Sequence, residues 1–335
     1  MRSLIYAILL PVLVCVAAGP TAARSSTRVW MSGLVQTAKV VVRGNVLVAG
    51  EKPVVAVERC LKGKCGSRLQ ILTRKGYEKA SFALGEDVIL FLDSAGDPKS
   101  AYLLYGDGGK YPWTIESGKH RVNDPYCRDF TANQLEKAIP RMWEALRGQG
   151  PNDKLRGTVT LLDSRDPLLN IVGLEEASEM PWNGLGGVDT DAKPWALWTL
   201  AALALKHAAN TDYRVSAPAL EVVCRGAASV TVPLLLDKLE DTDPDCRSRA
   251  RSSLSRALAS CGADTSRLQN RWSYIDPKPE RVQFKAGCLD IWESVKANQL
   301  SKDQEVIGKR LTSGSALEKR CAKIYLDRLQ SEKAN

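Results

Sequence analysis

Two cysteines five positions apart, Cys60 and Cys65, stand in a run dense with cations. Arg59, Lys62, Lys64, Arg68, Arg74, Lys75 and Lys79 all fall within 21 residues. Across a turn between two strands, thiols at this spacing come within disulfide range, so the expectation is a bond stapling the turn. A structural metal site needs about four ligands. The chain has only His120 and His207 as histidines and no second close cysteine pair, so a metal is not expected. The Cys-x-x-Cys spacing of redox-active pairs is also absent.

The cations carry a different expectation. Clustered in this way they can present a positive face to a polyanion: lipopolysaccharide, acidic polysaccharide, nucleic acid or an acidic protein patch. Tyr77, Tyr102, Tyr105, Tyr111 and Trp113 would add stacking surfaces of the kind barrels offer to bases or sugars. The competing reading is a solvated surface with the aromatics packed inside.

Catalysis finds little footing. Two histidines restrict any acid–base or triad scheme, and no Gly-x-Ser-x-Gly elbow, Walker loop, His-Glu-x-x-His or dinucleotide fingerprint occurs. His207 falls in an apolar helix running from Trp195 to Ala209, and His120 sits between Lys119 and Arg121. Asp241-Thr242-Asp243-Pro244-Asp245 imitates the start of a calcium loop, but Cys246 stands where glycine is required and Ser252 where a bidentate glutamate should be. It reads as an inter-helix turn, and Asp189-Thr190-Asp191 as part of a Gly-rich loop. No enzyme, no cofactor and no metal is expected.

The elements that must hold these residues change type along the chain. Val40–Val48, Val54–Arg59, Leu69–Thr73, Asp87–Leu92 and Tyr102–Tyr105 are short apolar or β-branched runs bounded by turn residues. They predict a small closed β-barrel over about 27–125, with Gly44 as a bulge or bend. From Thr131 the period becomes helical, beginning with a Thr-x-x-Gln capping box, and Pro140 is expected to kink or interrupt that helix. Aspartates 166, 212, 243 and 276 mark recurring breaks, three of them followed by proline. Aspartate caps a helix and proline supplies its first residue, so each break predicts the start of a second helix in a stacked pair. The expected architecture is multidomain β plus α: an OB-like barrel, then a helical-repeat region over 130–335.

Two resemblances sharpen this. Val232–Leu239, Asp241–Asp245 and a helix from Cys246 to Ser260, with Arg247 just inside it, resemble a HEAT repeat. Such repeats imply an α-solenoid with a long concave binding surface. In the barrel, Ala38–Val46, Val57–Gly63 and Phe82–Leu92 occur in an order that resembles the netrin-like, tissue-inhibitor-of-metalloprotease-like barrel of exported bacterial proteins. That resemblance implies an oligonucleotide/oligosaccharide-binding-type barrel used for protein contacts. The inhibitors of that family chelate the protease zinc with an N-terminal cysteine. Here the nearest cysteine to the expected mature start at Arg24 is Cys60, so this mechanism does not carry over.

The first 23 residues have the order of a secretory signal: Arg2, an apolar run Leu4–Ala18, then Gly19-Pro20 and small residues. A retained anchor or a lipoprotein signal at Cys15 are the alternatives. The rest contains no stretch apolar enough to span a bilayer, which leaves eight cysteines in an oxidising compartment, where disulfides are the default reading. Net charge is +9. Residues 24–128 hold 17 Lys/Arg against 10 Asp/Glu, nearly the whole surplus. The expectation is therefore an exported, periplasmic or extracellular, non-catalytic binding or scaffold protein with a protein partner. Binding to an acidic polymer or anionic surface, or metalloprotease-inhibitor-like action, are the alternatives.

Overall fold

The structure is a computed structural model describing residues 31–74, 79–105, 110–116, 119–122, 130–148, 150–180, 192–266, 268 and 278–334. The leader, Cys15, Lys75, Tyr77, Cys127, the Asp189 segment and Asp276 lie outside them, as do the side chains of Tyr111, Trp113 and His120.

Among the described residues a short helix, α1 (Met31–Thr37), leads into seven strands: β1 (Val40–Val48), β2 (Val54–Lys62), β3 (Arg68–Thr73), β4 (Asp87–Ser94), β5 (Ser100–Leu103), β6 (Lys110–Glu116) and β7 (Lys119–Val122). The first five close into a barrel. β1 pairs with β2, β2 with β3, β3 with β5, β5 with β4, and β4 returns to β1; only β3 and β5 run parallel. β6 pairs with β4, and β7 with β6.

Gly44 supplies the expected bend. The β1–β2 register slips between Arg43 and Gly44, and a Cβ there would lie 2.2 Å from the Ala56 carbonyl oxygen. The strand expected at Tyr102–Tyr105 starts and ends two residues earlier. Its former end, Tyr105, takes a left-handed φ of 51°, where a strand cannot continue.

Strand alternation divides the apolar side chains between two cores. Val42, Val46, Val88, Leu90 and Leu92 fill the barrel with Leu69, Ile71 and Leu103. Val41, Ile89 and Phe91 point outward and are equally buried, because helices cover them. That is why Val88–Leu92 is an unbroken apolar run: β4 is buried on both faces.

The covering helices are α1 and α2 (Ala132–Leu146), followed by α3 (Pro151–Leu162) and α4 (Pro167–Glu179). Leu34, Leu135, Ile139, Met142, Leu161 and Val172 complete this second core, which barrel and helices therefore share. Thr131 and Gln134 form the predicted capping box. α2 nevertheless runs unbroken through Pro140. Tertiary packing of Leu135, Ile139 and Met142 holds both sides of that residue in place.

Beyond the seam come α5 (Ala192–Ala208), α6 (Tyr213–Val223), α7 (Ala228–Lys238), α8 (Pro244–Ser260), a 36-residue α9 (Lys278–Ser313) and α10 (Ala316–Ala334). Asp166, Asp212 and Asp243 each cap the second helix of a pair, their carboxylates accepting from the backbone N–H of Leu168, Arg214, and Asp245 with Cys246. The pairs α3/α4, α5/α6 and α7/α8 pack side by side, with α4, α6 and α8 forming one layer.

The last hairpin departs from a simple stack. α9 lies against α7, and α10 returns to α5 and α7. Tyr325 is fully buried, donates to the Trp198 carbonyl at 2.8 Å and meets the Trp198 ring edge-on at 5.2 Å. α5 is thus enclosed on both sides, as its all-round apolar character predicts. The surface of α5 and α7, which an open solenoid would leave free, is occupied in this way.

Candidate functional site

Part of the basic turn is an assembly joint. Arg59 from β2 and Arg43 from β1 both bind Glu136 of α2, Arg43 at 3.0 Å. Glu136 is only 4% exposed, so a buried carboxylate draws two guanidinium groups of the barrel onto the helix. Lys62 ends β2 and reaches α1. Its ammonium donates to the carbonyls of Val35 at 2.8 Å, Gln36 at 3.3 Å and Ala38, and lies 3.5 Å from the Trp143 ring centre. These are carbonyls at the C-terminal end of α1, where a cation is electrostatically favoured. Burial pushes the Lys62 ammonium down to about 8.

Two further members of the cluster are paired in the barrel. Arg74 binds Asp93 and sits over the Tyr102 ring, and exposed Lys79 faces Glu51 at 3.3 Å. Burial raises the Asp93 carboxyl, but Lys39, the Ser94 N–H and Arg74 outweigh it and hold its pKa low. Lys64 and Arg68 lie exposed in and after the turn. The expected cluster is therefore dispersed: two members face α1 and α2, two make barrel ion pairs, and two face solvent.

Cys60 and Cys65 are both free thiols in this structure, as are Cys224, Cys246, Cys261, Cys288 and Cys321. Cys60 is exposed and donates to the carbonyls of Lys62 at 3.3 Å and Gly63 at 3.4 Å. Cys65 packs partly against the barrel core and hydrogen-bonds with Cys60. Burial, then the Cys60 contact, pushes the Cys65 thiol up to about 12. The helical cysteines are core residues, with Cys224, Cys246, Cys288 and Cys321 buried among apolar neighbours. An even count suggested bridges; here small polarizable side chains fill a helical core.

His207 is packed at the end of α5. Burial, with Lys206 beside it, pushes its imidazole down to about 4, against the pull of a hydrogen bond with the Leu162 backbone. The Asp241–Asp245 segment is the expected turn. Asp241 accepts from the Asp243 N–H at 3.0 Å, and Arg247 donates back to the carbonyls of Asp241 at 2.8 Å and Thr242 at 2.9 Å. Among the described residues no group of three or more His, Cys, Asp or Glu side chains could hold a metal.

No protein-family model, curated protein or solved structure matches this chain.

One feature of the barrel went unread in the sequence. At the end of β1 remote from α1, Leu47 and Val48 are exposed, and Leu84 is 74% exposed. They share one corner: the Gly85 N–H donates to the Val46 carbonyl at 2.8 Å, and Val46 N–H to Glu86 at 2.9 Å. The signal was present in Leu84-Gly85, where a large apolar residue precedes a glycine that takes a φ of +76°. A turn tip buries nothing beside it.

Proposed function

We propose that this chain is a non-catalytic binding protein that engages a protein partner through the free rim of its barrel. The observation carrying the proposal is the exposed corner of Leu47, Val48 and Leu84, since large apolar side chains gathered at one corner are typical of contact surfaces. The opposite end of β1 is occupied by the chain's own helices, and much of the basic turn is engaged there or in barrel ion pairs. The barrel closure order, β1-β2-β3-β5-β4, supports the oligonucleotide/oligosaccharide-binding-type reading and, more remotely, the netrin-like one. The Asp-capped pairs with Arg247 folded back over its turn support the HEAT-like reading of α3–α8. Export, read from residues 1–23, would place that partner in the cell envelope or outside the cell.

The test is capture from envelope extract by the immobilised full chain, eluted with a salt gradient. A partner that survives high salt and is lost with Leu84→Asp, while Lys64→Ala with Arg68→Ala retains it, supports the rim. Capture that fades between about 50 and 200 mM salt, and disappears with the Lys64 and Arg68 substitutions instead, would replace it with polyanion binding.

A further inference from the structure

The segment between the two barrel cysteines is the segment that latches the barrel to the helices. Between them lie Leu61, which packs against the shared core, and Lys62, which holds the α1 carbonyls and Trp143. Gly63 follows with a φ of +80°, and a Cβ there would lie 2.4 Å from the Lys39 carbonyl oxygen. Lys39 is in the link between α1 and β1, so the turn is pressed onto that link. The Cys60 thiol already closes over the turn by donating to the Lys62 and Gly63 carbonyls.

We infer that Cys60 and Cys65 form a reversible thiol–disulfide latch whose oxidation fastens the Lys62 turn to α1 and so stiffens the joint between barrel and helices. Three features converge on it: Cys60 Sγ lies over the turn at 3.3 and 3.4 Å from the Lys62 and Gly63 carbonyls with Cys65 as a hydrogen-bonding neighbour, Cys60 is exposed, and the turn they bracket carries the contacts to α1 and α2. The inference is independent of the rim proposal.

A small-molecule disulfide such as glutathione disulfide is a sufficient oxidant. The exposed Cys60, as thiolate, attacks one of its sulfurs; that S–S bond breaks and one thiol leaves. Cys65 then releases its proton to water and attacks Cys60 Sγ, expelling the second thiol. The protein gives up two electrons and two protons, which the oxidant recovers as two thiols. The resulting ring joins the end of β2 to the residue after the turn, so the turn can no longer open by peeling Lys62 from Val41, its β1 partner.

The experiment is to titrate the reduced full chain with glutathione disulfide, map disulfides by mass spectrometry, and follow amide hydrogen exchange. The expected result is an internal Cys60–Cys65 bond that dithiothreitol reverses. Exchange across residues 34–38 and 61–64 should slow about tenfold in the oxidised chain. Cys65→Ser should stop at a glutathione adduct on Cys60 without the slowing. A wild-type chain that yields only the mixed disulfide would overturn the inference. So would an internal bond that leaves exchange at α1 and the turn unchanged.

Discussion

The barrel and the helical stack each meet a neighbouring element across an apolar core, but they place their polar groups differently. At the barrel–helix seam, an apolar core is framed by charge: Glu136 held by two arginines, and Lys62 held by three carbonyls. Where the last hairpin closes the stack, the centre of the contact is apolar and ion pairs such as Arg320–Asp163 lie at its edge. Trp198, Cys321, Tyr325 and Leu329 pack together, with one buried acid, Asp303, inserted at the start of α7. That helix has Ala227 at its cap position and no capping side chain of its own. Asp303 serves instead, accepting from the Ser229 N–H at 2.9 Å and its hydroxyl at 2.6 Å. The difference teaches that polar groups here position elements whose adhesion comes from apolar burial. At the seam the polar contacts are half open to water; in the stack Asp303 and its bonds to Ser229 are enclosed, while the Arg320–Asp163 pair at the edge is open.

The comparison can be broken most severely at Tyr325. Tyr325→Ala removes a fully buried ring together with its bond to the Trp198 carbonyl, and should cost about 3–5 kcal/mol in urea unfolding. A loss below about 1 kcal/mol would mean that the hairpin is not fastened there. At the seam, Glu136→Ala leaves Arg43 and Arg59 without their shared acceptor. About 2–3 kcal/mol is expected from two charge-assisted hydrogen bonds, one of them to a well-exposed arginine. Glu136→Gln should recover part of it, and equal losses for both would show that shape rather than charge is at work.

Asp243→Ala removes the cap of α8 and should cost about 1 kcal/mol, read as a lowered thermal midpoint. A further prediction concerns pH. His207 has a depressed folded-state pKa of about 4 against a usual 6.5, so the unfolded chain binds its proton first as pH falls. The stability this provides is complete above about pH 6.5 and is lost as pH falls through about 4. His207→Gln should flatten that part of the thermal-midpoint profile relative to wild type; superimposable profiles would refute the packed, neutral imidazole.

What was legible in the sequence was local. Asp166, Asp212 and Asp243 cap helices as their spacing predicted, Thr131 and Gln134 close a capping box, and Gly44 bends β1, because each signal acts within a few residues or through a missing Cβ. The long α9 hairpin was not legible. Its buried positions, Phe284, Cys288, Trp292, Asp303 and Ile307, are sparse along 36 residues, since one narrow stripe faces the stack. α1 has seven residues and neither an acidic first turn nor a basic last one, so nothing announced it. The basic turn was visible as a cluster but not as a joint, because the acid that binds Arg59 lies 77 residues away. Counting cysteines revealed number and not proximity in the helical region, whereas the spacing of Cys60 and Cys65 did make those two neighbours.

The return of α10 to α5 has a consequence for how the helical region comes apart. A linear row of repeats behaves like a zipper: each unit touches only its neighbours, and the row frays from either end. Here Tyr325 grips a carbonyl 127 residues earlier in the chain, so the penultimate and earlier units are tied by a strap. Opening any one of them breaks contacts in two directions at once. The region should therefore melt more as a buckle than as a zipper, in a single sharp step with little fraying before it.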